Sequence, residues 1–100
     1  MSPNKGWFNM KFARVDKNQK EIVTALRKAG AKVKHVYTVK NLFDILVYYD
    51  GKTYNVEIKD GLKSKLTEGE AQCKEDLESV DVKYWIVRSV DDALNMIKLK

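Results

Sequence analysis

Residues 42–59, LFDILVYYDGKTYNVEIK, restrict the fold more than any other stretch of the chain. Two runs rich in β-branched and aromatic residues flank Asp50-Gly51. An Asp-Gly pair between such runs signals a two-residue type I′ hairpin, because both turn residues must take positive φ. In that register Tyr49 faces Lys52, Val47 faces Tyr54, Ile45 faces Val56 and Phe43 faces Ile58. One face of the hairpin is then apolar or aromatic throughout. Asp44 and Glu57 lie opposite each other on the other face, with Lys59 two residues beyond and Leu46 and Asn55 alongside. A slip of one residue would mix the two faces, so the hydrophobic pattern supports the register independently of the turn.

Directly opposed residues on one face of a sheet have Cβ atoms about 5 Å apart, and like charges there are destabilising. At an effective dielectric near 20, two carboxylates at that separation repel by roughly 3 kcal/mol. Such a pair persists when one carboxyl holds a proton or when a cation lies between them. Oxygen ligands alone suit Mg²⁺, Mn²⁺ or Ca²⁺ better than zinc. Lys59 is close enough to steer a phosphate oxygen or polarise a water. The competing reading is a solvated hairpin face on which Glu57 and Lys59 form an ordinary surface ion pair. Helices flanking the hairpin in sequence argue that both faces are covered.

Around the hairpin the pattern alternates. Ile22, Ala25, Leu26 and Ala29 recur at helical spacing over 17–29, with Gly30 as a stop. Asp16 with Gln19, or Asn18 with Glu21, offers a capping box at its start. Lys32–Tyr37 reads as a strand. A helix over 67–78 opens with the capping box Thr67-x-x-Glu70. Val82–Val87 reads as a strand, and Ser89-x-x-Asp92 starts a last helix with Val90, Ala93, Leu94 and Ile97 on one face. The order is α-β-β-β-α-β-α, which predicts a three-layer α/β domain on a mixed sheet. Residues 1–13 suit either a short strand or an arm that packs on a partner or touches nucleic acid.

The chain has 100 residues, enough for one domain and too few for two. A formal net charge of +5 favours an anionic partner without proving one. The single cysteine, Cys73, cannot form an internal disulfide. No apolar run nears the ~20 residues that span a membrane, so the chain reads as soluble and intracellular. Cys73 is expected to pack on the inner face of its helix with Leu77. His35, the only histidine, is expected at the surface, and the alternating Tyr84, Trp85 and Ile86 in the core.

Asp44, followed by Glu57-Ile58-Lys59 at the end of the next strand, resembles the motif of the PD-(D/E)XK nuclease superfamily, with Phe43 where the motif has proline. Asn18–Val23 and Leu26–Ala31 are similar to the first helix of small phage-type, VRR-NUC-like members. Leu66–Gln72 resembles the segment leading into their second helix, and Val87–Ala93 their tail. The resemblance covers about residues 14–94. It implies a restriction-endonuclease-like core and Mg²⁺-dependent endonucleolytic hydrolysis of DNA, with Mn²⁺ able to substitute. By resemblance Asp44 and Glu57 are metal ligands, the Ile58 carbonyl is a third, and Lys59 stabilises charge on the attacking water or the phosphate. Glu21 matches a first-helix acid that often completes the metal site; as a capping residue it would have no such role. Gln72 matches a polar residue of the second helix that supports the site.

Lys63 and Lys65, between Gly61 and Leu66, are the leading phosphate contacts, together with Arg14 near the first helix. The small size suggests a preference for branched or otherwise structured DNA. The resemblance also implies a homodimer, a phage or prophage origin and a cytoplasmic location in a bacterial host. No membrane and no small-molecule cofactor are expected. Two other classes remain open: a non-catalytic basic nucleic-acid-binding module on the same scaffold, and a small protein-interaction domain.

Overall fold

The computed structural model describes residues 17–61 and 63–98. In chain order the elements are α1 (Lys17–Lys28), β1 (Lys32–His35), β2 (Ile45–Tyr49), β3 (Lys52–Ile58), α2 (Glu68–Ser79), β4 (Tyr84–Val87) and α3 (Val90–Lys98). The order is the α-β-β-β-α-β-α read from the sequence. The four strands form one mixed sheet in the order β1-β2-β3-β4, antiparallel except for the parallel β3–β4 pair. The crossover explains the parallel step, since α2 carries the chain back across the sheet between β3 and β4. Among the described residues, no helix is long and apolar enough to cross a membrane.

The hairpin has the expected register, with Tyr49 opposite Lys52, Val47 opposite Tyr54 and Ile45 opposite Val56. Asp50 and Gly51 take φ of 52° and 79°, as a type I′ turn requires. The sheet is apolar on both faces, so each is covered. Ile45, Val47, Tyr54, Val56, Ile58 and Val87 pack against Ile22 and Leu26 of α1 and Ala93, Met96 and Ile97 of α3. On the opposite face Phe43, Tyr84 and Cys73 form a smaller cluster with Leu46, Leu77 and Ile86. The molecule is therefore three layers deep. Cys73 and Leu77 of α2, and the alternating β4 residues, lie where the sequence puts them.

Three local differences have clear causes. β1 ends at His35 instead of Tyr37, because the chain turns at Val36–Val39, where the Val39 amide donates to the Val36 carbonyl at 3.0 Å. β4 begins at Tyr84 instead of Val82, because the Val82 amide is bound to the Leu77 carbonyl at the end of α2. Phe43 does not point to the α1/α3 face; it packs on the α2 face, edge-on to Tyr84 at 6.4 Å. The Asp44 amide donates to the Val56 carbonyl at 3.0 Å, although Val56 is already opposite Ile45. Two residues thus share one partner, the pattern of a β-bulge, which re-aims the side chains before it.

Ile45 is fully buried between layers, whereas a Cβ on Gly51 would meet nothing within 4 Å. Ile45→Ala is expected to lower unfolding free energy by about 2–5 kcal/mol. Gly51→Ala, which costs only backbone strain at positive φ, should lower it by about 1 kcal/mol. Urea unfolding of the two variants checks the ranking, and equal losses would contradict it.

Candidate metal centre

The bulge aims Asp44 along the same face as Glu57, at the carboxyl end of β3. The Ile58 amide donates to Asp44 Oδ2 at 2.8 Å and holds that carboxylate in place. Glu57 is only 3% exposed. Lys59, one residue past β3, reaches back across the face, with its Nζ 3.7 Å from Glu57 Oε2 and 2.7 Å from Glu70 Oε1. Glu70 sits in the first turn of α2, in the capping box with Thr67. Its Oε1 accepts the Thr67 amide at 2.9 Å, and the Thr67 hydroxyl accepts the Glu70 amide at 3.2 Å. The cap therefore fixes the carboxylate that fixes the lysine.

Three carboxyls and one ammonium in a half-buried space cannot all keep their ordinary protonation. Burial, the Asp44 charge and Glu70 push the Glu57 pKa up to about 9. The Asp44 pKa is also raised, by burial first, against the opposing pull of the Ile58 amide and a hydrogen bond from Glu57. Burial alone would lower the Lys59 pKa, but Glu70, Glu57 and Asp44 reverse that and raise it. For Glu70 the Lys59 and Thr67 hydrogen bonds outweigh burial, and its pKa falls. The directions favour a proton on Glu57 and an ionised Glu70 paired with a charged Lys59.

A cleft of about 130 Å³ opens on the cluster, lined by Asp44, Glu57, Glu70 and Thr67 and by Tyr37 and residues 39–43, including Lys40. The loop that forms its wall is closed at the base by the Val36 amide donating to the Asp44 carbonyl at 2.9 Å. Asn41 lies so close to α2 that any side chain at Gly69 would collide with it. Behind the cleft Tyr84 is 3% exposed, and its hydroxyl has no hydrogen-bond partner among the described residues. Burial first, and then Glu57, Glu70, the Cys73 thiol and Asp44, push that hydroxyl well above the ordinary phenol range.

The structure thus brings together Asp44, Glu57, Ile58 and Lys59 of the residues read from the sequence. Ile58 contributes its amide. Two others lie elsewhere. Glu21 is on the outer face of α1, 3.8 Å from Lys17. Neither does it serve an Asn18 cap, since Asn18 is already inside the helix and donates to the Lys59 and Arg88 carbonyls at 3.2 and 3.4 Å. Gln72 is exposed and donates to Asp76 at 2.9 Å, one helical turn on. Two residues from Glu70 along a helix, it faces about 200° away and cannot share its side. Lys63 and Lys65 are exposed but do not line the cleft, where Lys40 does. Arg14 and residues 1–13 lie outside the described residues. Glu70 is the member sequence reading missed, although the Thr67-x-x-Glu70 signature places it correctly in the first turn of α2.

Among the described residues, no group of three or more His, Cys, Asp and Glu is arranged to hold a metal ion. Mg²⁺ needs less, because it commonly takes one or two carboxylates and keeps several waters. The Asp44–Glu57 pair fits that requirement in donor chemistry. No protein-family model matches the chain, and no curated protein or solved structure matches it either.

The Glu57 shift has a definite sign. Its pKa in the fold, about 9, exceeds the ordinary 4.5, so the native state holds a proton that the unfolded chain releases. Its contribution to stability is complete below about pH 4.5 and is lost as pH rises toward about 9. In EDTA the wild type should melt at lower temperature at pH 9 than at pH 6. Glu57→Gln, which keeps a donor without the charge, should flatten that slope and melt higher than the wild type at pH 9. Parallel slopes in thermal melts would contradict the assignment.

Proposed function

We propose that this protein is a divalent-metal-dependent nuclease that hydrolyses phosphodiester bonds in DNA, of the PD-(D/E)XK kind. The observation that supports it best is the apposition of Asp44 and Glu57, two carboxylates at the end of a hairpin, with the Lys59 ammonium on the same face. Asp44 and Glu57 would hold Mg²⁺ or Mn²⁺. When bound, the ion would neutralise charge on the phosphate and make a water acidic enough to attack.

The chain's own groups do the rest. The Ile58 amide orients Asp44. Glu70 holds Lys59, whose ammonium, kept protonated by its acidic neighbours, stabilises negative charge growing on the phosphate oxygens. Lys40, in the cleft wall, contacts a neighbouring phosphate of the strand. Structured DNA as the preferred substrate, and a homodimer that sets two sites against two strands, are part of the same reading.

The second reading, a basic module that binds nucleic acid without cutting it, draws on the two ion pairs that occupy Lys59. Incubation of the protein with linear, nicked and four-way DNA, with and without Mg²⁺ or Mn²⁺, separates the two. Metal-dependent cleavage is expected, with Asp44→Asn and Lys59→Ala each lowering it by at least about 100-fold, the scale of losing one charge-stabilising group. Glu21→Gln and Gln72→Ala, at exposed positions away from the cluster, should stay within about twofold of wild type. Salt-sensitive binding with no cleavage in any metal would favour the second reading.

A further inference from the structure

The strand register divides the α2-side face of the sheet into rows. Lys32, Tyr48 and Thr53 are partners across β1, β2 and β3, and Lys34, Leu46 and Asn55 form the next row. Glu57 stands one pleat further along β3, about 6.6 Å on. α2 covers the β4 side of this face, where Cys73 and Leu77 pack with Tyr84 and Ile86. The β1–β2 side stays open: Lys32, Lys34 and Thr53 are exposed, and Tyr48 is 39% exposed. On the other face the same strands present Val33, Val47 and Tyr54, all buried in the core with α1 and α3. Neither open row holds an acid, and among the described residues neither lysine has an ion-pair partner.

We propose that this open half-face binds single-stranded DNA, with Lys34 and Lys32 on phosphates and a base stacked on Tyr48. The choice of DNA rests on the nuclease reading above, which the proposal extends from the cleft to the surface leading into it. Charge complementarity selects a polyanion, since two ammonium groups stand in rows without acids on a chain of net charge +5. Tyr48 selects an unpaired strand, because a duplex keeps its base faces stacked on one another. A basic groove with an aromatic side chain on which bases stack is how proteins hold single strands without reading their sequence.

The experiment measures binding of a short fluorescent single strand by anisotropy in EDTA, where metal-dependent cleavage does not occur, over a range of salt. Wild type is compared with Lys32→Gln/Lys34→Gln, Tyr48→Ala, Tyr48→Phe and Lys20→Gln/Lys28→Gln. The last removes the same charge from exposed positions on α1. Loss of the sheet-face lysines is expected to reduce the slope of log affinity against log salt by about 1.4, from two phosphate contacts at ~0.7 each. Loss of the α1 lysines should leave that slope unchanged. Tyr48→Ala should weaken single-strand binding at least about fivefold and leave the affinity for the same sequence as duplex unchanged. Tyr48→Phe, which keeps the ring, should bind like wild type. A wild type that binds no single strand, equal slopes in the two lysine pairs, or wild-type affinity in Tyr48→Ala would overturn the proposal. The nuclease reading fails separately: the expected binding changes with no cleavage in Mg²⁺ or Mn²⁺ sink it and leave the single-strand site standing.

Discussion

The contact on which the other features turn is the meeting of Asp44 and Glu57 at the open end of a tight hairpin. Asp50-Gly51 fixes the register, the register fixes which face each residue takes, and the bulge at Asp44 adds the last turn toward Glu57. Two carboxylates so placed repel, and burial makes the charged pair more expensive still. The fold answers with a proton on Glu57, an amide from Ile58 and an ammonium from Lys59. None of these is needed to build a three-layer α/β domain. A leucine–asparagine pair such as Leu46 and Asn55, one step along the same hairpin, occupies that face with no such demand.

Lys59 ties this pair to the rest of the molecule. Its partner Glu70 belongs to α2, and the same carboxylate closes the capping box that starts that helix. The site is therefore coupled to the placement of α2, whose first turn comes so close to Asn41 that position 69 has no room for a side chain. The loop that carries Asn41 also carries Lys40 into the cleft wall. Chemistry, helix start and cleft wall share a few side chains, so a change at one is felt at the others.

Much of this was legible from the chain, and the limits have physical reasons. The hairpin register, the order of elements and the Thr67 cap follow from local rules: turn chemistry, period-two alternation and capping geometry. Asp44 and Glu57 do meet, but not as the expected register pair: the ladder ends at Ile45–Val56 and the bulge at Asp44 brings the carboxyls together. Phe43 was misplaced because a bulge leaves no mark in a hydrophobic pattern, and one extra residue reverses every face before it. Segment similarity points to Gln72 where Glu70 belongs because it carries no angular information, while two helical residues differ by about 200°. Glu70 already had a sufficient local role as a cap, which concealed its second partner. Glu21 depended on which way α1 faces, a tertiary fact that its own periodicity does not fix for an exposed position.

The central claim is that Asp44 and Glu57 together bind a divalent cation. The most direct test is a crystal structure of the protein soaked in Mn²⁺, with diffraction recorded at a wavelength where manganese scatters anomalously. The account predicts a single strong anomalous peak between the two carboxylates, within about 2.0–2.3 Å of an oxygen from each, with Lys59 still on the same face. An ordered site with no anomalous density there, at a Mn²⁺ concentration that supports cleavage, would contradict it.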